Sequence, residues 1–410
     1  INLDGKGHGF SEVVFENGHK WPAWEGTWNL TKTQSAATVK WLNDRGIRVR
    51  GHNLIWPGWR NSPADLKNLS VTDLKKRIDN HITEMLTYPK MELIKDWDII
   101  NEFTGNVDIA NKLKGTAGYT TGREIYVEIA NKVKELAPDV KQYANEAHNT
   151  NLYVKNEVFK SYVKEMVDAG VKNLNVGFQS HFRYMIPPEE WYGYLEEYHQ
   201  LTGGLVKVTE FDHTTFAPDS LKAQYLSDLL TITFSHPFSD GFLMWGFWDG
   251  AHYSDHAPLF DINWNLKPSG KPFIDLVFNK WWTPTSTQTS DTSGKVSLRG
   301  FKGKYKITIT KGDEQFVDTV SLKSDLKLKY AQPFSHVTGL DNLKTGSIKI
   351  YPNPANQNFT IERSSNSNYT LNMLNLNGQL IKSVSAEGPN FQVETGDLAS
   401  GIYLVEMQDG

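Results

Sequence analysis

The chain has 410 residues, a formal net charge of −4 and no cysteine. The length exceeds one ordinary domain and suits a barrel-sized unit with appendages. The near-balanced charge speaks against a nucleic-acid binder, and the lack of thiols removes disulfides and thiolate metal sites. No apolar run approaches the roughly 18 residues that a membrane-spanning helix needs.

In chain order, Ile1-Asn2-Leu3-Asp4-Gly5 has neither an initiator Met nor a basic-then-apolar leader and reads as an internal cut. From Phe10 to about Trp282, short β-like runs alternate with longer amphipathic stretches. The expected strands are Phe10–Glu16, Ile47–Asn53, Ile94–Asn101, Val140–Asn145, Leu174–Ser180, Leu205–Glu210 and Gly241–Trp245. Between them, helices are expected over Thr31–Arg45, Thr72–Thr87, Gly122–Leu136, Asn151–Ala169, Pro188–Leu201 and Pro218–Phe234, with a last one near Lys271–Trp282. Each is punctuated by a cap residue, Gly or Pro at its ends. Such alternation implies a parallel sheet covered by helices. A (β/α)8 TIM barrel closes with eight strands, and seven are counted. Either the first strand was lost by truncation upstream of Phe10 or the sheet is open; the missing strand is the favoured reading.

After Trp282 the character changes. The expected division is a hydrolase barrel over 1–282, a Thr/Ser linker over 283–294, a small β appendage and connector over 295–345, and an all-β segment over 346–410. The final segment ends at Gly401-Ile402-Tyr403-Leu404-Val405 without an obvious closing strand, so the C-terminus also reads as cut.

Active sites of such barrels lie where the strands end at their C-terminal side. Two carboxylates sit there. The fourth strand of a full barrel ends Trp97-Asp98-Ile99-Ile100-Asn101-Glu102, and the seventh ends Val208-Thr209-Glu210-Phe211-Asp212-His213. Facing carboxylates meet the needs of glycoside cleavage: one protonates the leaving oxygen, and the other attacks the anomeric carbon or activates water. Strand alternation puts Glu210 and Asp212 on one face, and Gln179 and His181 on another shared face. A His between Glu210 and Asp212 would keep the nucleophile ionised. Asn101 precedes Glu102 and would point to the opposite side unless the strand end kinks. An acid at Glu102 needs a pKa raised by burial and by the charge of Glu210. All thirteen Trp lie at or before Trp282, and flat indole faces stack on sugar rings, which suits a neutral polysaccharide substrate. Metal-ligand spacing is absent, so neither a metal nor another cofactor is expected.

These motifs resemble glycoside hydrolase family 10, the endo-β-1,4-xylanases, across about residues 10–282. Trp97–Glu102 resembles that family's acid/base strand, and Thr209-Glu210-Phe211-Asp212 its nucleophile strand. The resemblance implies retaining cleavage of xylan, with sugar contacts from Glu16, Asn17, Lys20, His52, Trp56, Asn145, Gln179, Trp245, Trp248 and Tyr253. It implies support for catalysis from His181, Asp212 and Asn101. The sequence departs from the family pattern at Pro57, at Glu146-Ala147-His148 where Asp-Tyr-Asn is usual, and at Tyr253 where Trp is usual. Trp245–His252 and the appendage motifs Arg299-Gly300-Phe301 and Gly303-Lys304-Tyr305 resemble a plant-like branch. The tail, with Ile350-Tyr351-Pro352-Asn353-Pro354, Leu374-Asn375-Leu376-Asn377-Gly378-Gln379 and Gly401–Leu404, resembles the C-terminal sorting domain of type IX secretion. That resemblance implies export to the medium or cell surface, with the secretion machinery as a partner.

Overall fold

The computed structural model describes residues 3, 5, 7–147, 153–213, 217–254, 256–330, 348–364, 366–375 and 378–409. The terminal Ile1-Asn2, Asp4, His148, the start of the expected Asn151 helix, the connector over 331–345 and Leu376-Asn377 of the tail motif lie outside them. The described chain forms two compact units, Ile1–Phe301 and Lys302–Gly410.

The first unit alternates strand and helix. Strands β1 (Glu12–Val14), β2 (Arg48–Gly51), β3 (Asp96–Asn101), β4 (Lys141–Glu146), β5 (Asn175–Phe178), β6 (His181–Phe182), β7 (Val206–His213) and β8 (Ser239–Met244) are all parallel. β6 continues the line of β5 after a break at Ser180, where φ is 63°, so eight segments make seven staves. Their order is β1-β2-β3-β4-β5-β7, with β6 and β8 also on β7. The sheet is a nearly closed parallel barrel of seven staves. β3 and β7 are buried along their whole length, as expected where helices cover one face and the barrel interior the other.

The helices follow from their caps and stripes. They are α1 (Trp21–Trp24), α2 (Lys32–Asn43), α3 (Val71–Thr87), α4 (Asp108–Leu113), α5 (Glu124–Leu136), α6 (Tyr153–Asp168), α7 (Pro188–Thr202), α8 (Asp219–Ser235) and α9 (Lys271–Ile274). The Thr31 hydroxyl accepts from the Gln34 amide at the start of α2, and Ser70 does the same for Asp73 in α3. α7 opens on Pro188 and stops at Gly203, whose φ of 67° suits a residue without a side chain. Leu74, Ile78, Ile82 and Met85 make the buried stripe of α3, spaced to recur on one helical face. The last expected helix is α-helical only to Ile274 and continues as a π-helical turn over Asp275–Lys280.

At one level of the barrel, five strands aim charged groups at each other. Lys207 of β7, fully buried, pairs with Asp96 of β3, with Glu12 of β1 at 3.1 Å and with Asp240 of β8 at 3.6 Å. Asp240 also takes Lys141 Nζ at 2.6 Å and the Tyr143 hydroxyl at 2.7 Å, both from β4. Charges can be buried here because each has a partner.

In the second unit, β9 (Gly303–Lys311) and β10 (Glu314–Leu322) form an antiparallel hairpin closed by Gly312-Asp313, where Gly312 has φ 59°. Two three-stranded antiparallel sheets follow. One joins β11 (Lys349–Tyr351) and β12 (Asn358–Glu362) to β15 (Asn390–Glu394); the other joins β13 (Tyr369–Leu374) to β14 (Leu380–Ala386) and β16 (Leu404–Asp409). Phe359, Ile361, Tyr369, Leu371, Met373, Ala386 and Val393 fill a common core, drawn from alternate positions along the strands.

Candidate active site

At the C-terminal ends of the staves lies a cleft of about 500 Å³. Its walls carry ten of the residues expected from sequence: Lys20, His52, Trp56, Asn101, Glu102, Gln179, His181, Glu210, Trp245 and Tyr253.

Glu210 sits near the end of β7, 4 % exposed. Its Oε1 accepts from Asn145 Nδ2 at 2.8 Å, and its Oε2 meets His181 Nε2 at 3.1 Å. His181 Nδ1 faces Asp212 Oδ2 at 2.6 Å. The imidazole therefore bridges two carboxylates two residues apart on one strand face, as alternation requires. Burial disfavours the His181 cation, but its bonds to Asp212 and Glu210 outweigh this and raise it to about 10. Burial likewise pushes Glu210 up; the His181 bond and the nearby His52 and His181 charges overcome it and hold the carboxyl below its usual range. Asp212 shifts down by the same balance of burial against His181 and His252.

Glu102 is in the opposite state. Burial is the largest influence and raises its pKa; the hydrogen bond from Gln179 opposes, and the charge of Glu210 adds to the rise. Glu102 adopts φ 49°, a left-handed conformation at the end of β3. This kink answers the question of Asn101. Gln179 Nε2 lies 3.1 Å from Glu102 Oε1 and 3.2 Å from Asn101 Oδ1, so adjacent residues turn to one amide. Asn145 links the layers: its amide donates to Asn101 Oδ1 at 2.9 Å as well as to Glu210, and accepts from Thr209 Oγ1 at 2.7 Å. Gly177, its neighbour on β5, leaves the room it needs; a Cβ there would lie 2.3 Å from Asn145 Oδ1.

The opposite wall is built from β2 and its following loop. Asp98 is clasped by the Arg50 guanidinium, and its Oδ2 takes His52 Nδ1 at 2.8 Å. His52 thereby stands 3.9 Å from Glu210 and edge-on to Trp245. His52, Asp98 and Glu210 bring potential ligand atoms within 4.8 Å of one another. Arg50 already neutralises both Asp98 oxygens, so a cation there would face a guanidinium at close range. Lys20 projects between Trp56 and Trp245, 5.3 and 5.8 Å from their ring centres, and is held by Asn17 Oδ1 at 3.1 Å. Burial lowers its pKa against the pull of Glu210, Glu16 and Glu102.

Four expected contacts do not line the cleft itself. Glu16 and Asn17 border a separate depression of about 380 Å³ with Phe15, Gly18, Gln34 and Ser35. Trp248 is not among the cleft-lining residues; its indole stacks on Trp264 with ring centres 4.6 Å apart. Asn145 lies beneath the surface as a support. Sequence reasoning did not foresee Arg183 and Tyr184, which follow His181 onto the wall, or Asn106, whose Nδ2 reaches the Glu102 backbone oxygen at 3.0 Å. The Arg-Tyr step after the His181 motif was the only available signal for the first two.

The fold and cleft define a class: a parallel (β/α) barrel whose strand ends gather acidic and aromatic side chains over one groove. Residues 6–275 match the model of glycosyl hydrolase family 10, and the chain belongs to that family. Residues 349–410 match a secretion system C-terminal sorting domain, which makes this a secreted or cell-surface protein. Among curated relatives, an anti-sigma-I factor, RsgI6, of Acetivibrio thermocellus is 28 % identical over 73 % of this chain and 38 % of its own length. Endo-1,4-beta-xylanase 1 of Arabidopsis thaliana is 24 % identical over 73 % of this chain and 31 % of its own. The chain thus spans about a third of the length of these relatives. Among solved structures, native xylanase 10C of Cellvibrio japonicus superposes with a TM-score of 0.57 at 21 % identity, covering 65 % of this chain and 64 % of that one. Xylanase 10B of Thermotoga petrophila, solved with xylobiose, gives 0.55 at 21 %, covering 66 % and 86 %. Both bear out the barrel fold.

Proposed function

We propose that the chain is a retaining endo-β-1,4-xylanase in which Glu210 attacks the anomeric carbon and Glu102 protonates the leaving oxygen. Water then enters with Glu102 as base and releases the sugar from Glu210. One observation carries the reading: a half-buried and a buried glutamate at one cleft are pushed in opposite directions, Glu102 up and Glu210 down. That division of protonation suits an acid and a nucleophile working at the same pH. In this reading Asn101 and Gln179 bond sugar hydroxyls, Trp245 and Trp56 stack on rings, and His181 and Asp212 hold Glu210 ionised. The retaining geometry expects carboxyls about 5–5.5 Å apart. The barrel is proposed to occupy 1–282 and the tail to address the chain to type IX secretion machinery.

The test is product release from xylan followed by NMR, beside cellulose and mannan as rival substrates. Retention gives the β-anomer first. Initial α-anomer, full activity in Glu210→Ala, or preference for another glycan would each overturn the reading. A second reading, xylan binding without turnover, draws on the relative named as an anti-sigma factor; binding by the wild type with no reducing-sugar release would establish it.

A further inference from the structure

Glu146, the last residue of β4, is wholly buried and belongs to neither cleft wall. Its Oε2 accepts from the Thr104 amide at 3.1 Å and the Thr104 hydroxyl at 2.8 Å, and its Oε1 accepts from the Ala147 amide at 2.9 Å. Thr104 lies two residues beyond Glu102, within a turn closed at both ends: the Asn106 amide and side chain both donate to the Glu102 carbonyl, each at 3.0 Å. The Glu146 carboxylate therefore ties the end of β4 to the middle of the turn that holds Glu102 in its left-handed conformation. This conformation is uncommon for a residue with a side chain and persists only where surroundings impose it.

Charge adds a second link. Among the described residues, Glu146 has no Lys, Arg or His in ion-pair contact. The titratable groups facing it are Glu102 from β3, Tyr126 from α5 and Tyr198 from α7. Those facing Glu102 are Glu210, His52, His181 and Lys20. Among the described residues, no cation on the Glu146 side offsets the Glu102–Glu146 repulsion. A sequence departure stands at this spot: Glu146 occupies a position where the family resemblance expects Asp, and its extra methylene extends its reach toward Thr104.

We propose that Glu146 is a positioning residue for Glu102: through Thr104 it fixes the acid/base turn, and as a negative charge behind that turn it favours the protonated form of Glu102. This rests on the acid/base role given above to Glu102. Burial, with the charge of Glu102 and against the Thr104 bonds, lifts Glu146 to about 7. It therefore ionises near neutrality, and its added charge then delays loss of the Glu102 proton. Repulsion between two such sites is mutual.

Carbon-13 NMR titration of the full chain, with carboxyl signals assigned through Glu102→Gln and Glu146→Gln, tests this without relying on turnover. In the wild type the Glu102 signal should titrate in two steps, one coinciding with Glu146. In Glu146→Gln the Glu102 midpoint should fall by about half a pH unit or more, and Glu146→Asp should restore it. The alkaline limb of kcat/KM on xylan should move with it, whereas a merely structural role would lower activity equally at every pH. A one-step Glu102 titration in the wild type, or an unmoved midpoint in Glu146→Gln, overturns the proposal. Absence of xylan turnover in the wild type, with the coupled titration intact, would instead sink the xylanase reading.

Discussion

Replacing His181 by Gln removes a cation held between two buried carboxylates, and the structure sets the size of the effect. At 3.1 Å from Glu210, a unit charge interacts with gross strength about 5 kcal/mol at an effective dielectric near 20. Part of the compensation survives, since Asn145 still donates to Glu210 and His52 stands 3.9 Å away. The net rise in the Glu210 pKa should be about 1–3 units, the usual span for an opposite charge at this range. In the nucleophile role proposed above Glu210 must be ionised to act, so the acid limb of kcat/KM should move to higher pH by that amount. The alkaline limb, set by Glu102, should move much less. Stability follows a separate sign. The folded His181 pKa is raised from 6.5 to about 10; its contribution is complete below the unfolded value and fades as pH rises through 10. Wild-type melting temperature should therefore drop more between pH 7 and 10 than that of His181→Gln. Activity that falls uniformly with pH, with the acid limb fixed, would refute the reasoning.

Two further changes probe the scaffold. Lys207→Met removes the buried cation that pairs with Asp96 and Glu12, leaving Glu12 only a 3.6 Å contact with Arg48 among the described residues, and should cost about 3–5 kcal/mol in denaturant unfolding; undiminished stability would show that these acids are solvated or neutral. Gly51→Ala would place a Cβ 2.1 Å from the fully buried Trp97 ring, so a loss of at least about 1–3 kcal/mol is expected in thermal melts, together with weakened activity because His52 is the next residue.

The alternation of strands and helices was legible because parallel strands are short apolar runs and their helices carry caps. Seven staves were expected and seven are present. Boundaries slipped where local signals were weak. β7 runs to His213, past Glu210, because polar residues at the end of the strand are buried by partners far away in sequence. α4 was missed because six residues show less than two turns of periodicity. At the site, Glu102, Glu210, Gln179 and His181 stood out by falling at strand ends. The Arg50–Asp98 clasp and the Thr104–Glu146 bond join residues more than 40 positions apart, and no local pattern announces such pairs. Trp248 shows the converse: a motif can be recognised while the packing of its side chain, here against Trp264, is settled by a loop further along.

The left-handed residues at the ends of β3 and of β5 carry a wider lesson about strands as carriers of chemistry. A regular ribbon shows every second side chain to a given side, so neighbours in sequence cannot ordinarily cooperate on one bound molecule. A single reversal of φ at Glu102 suspends that rule and lets it share an amide partner with Asn101; a second, at Ser180, resets the path so that His181 rejoins the ladder opposite Asp212. Substitution surveys that score positions by strand parity would therefore misjudge these two spots, where the backbone's handedness, and not its periodicity, decides what faces the groove.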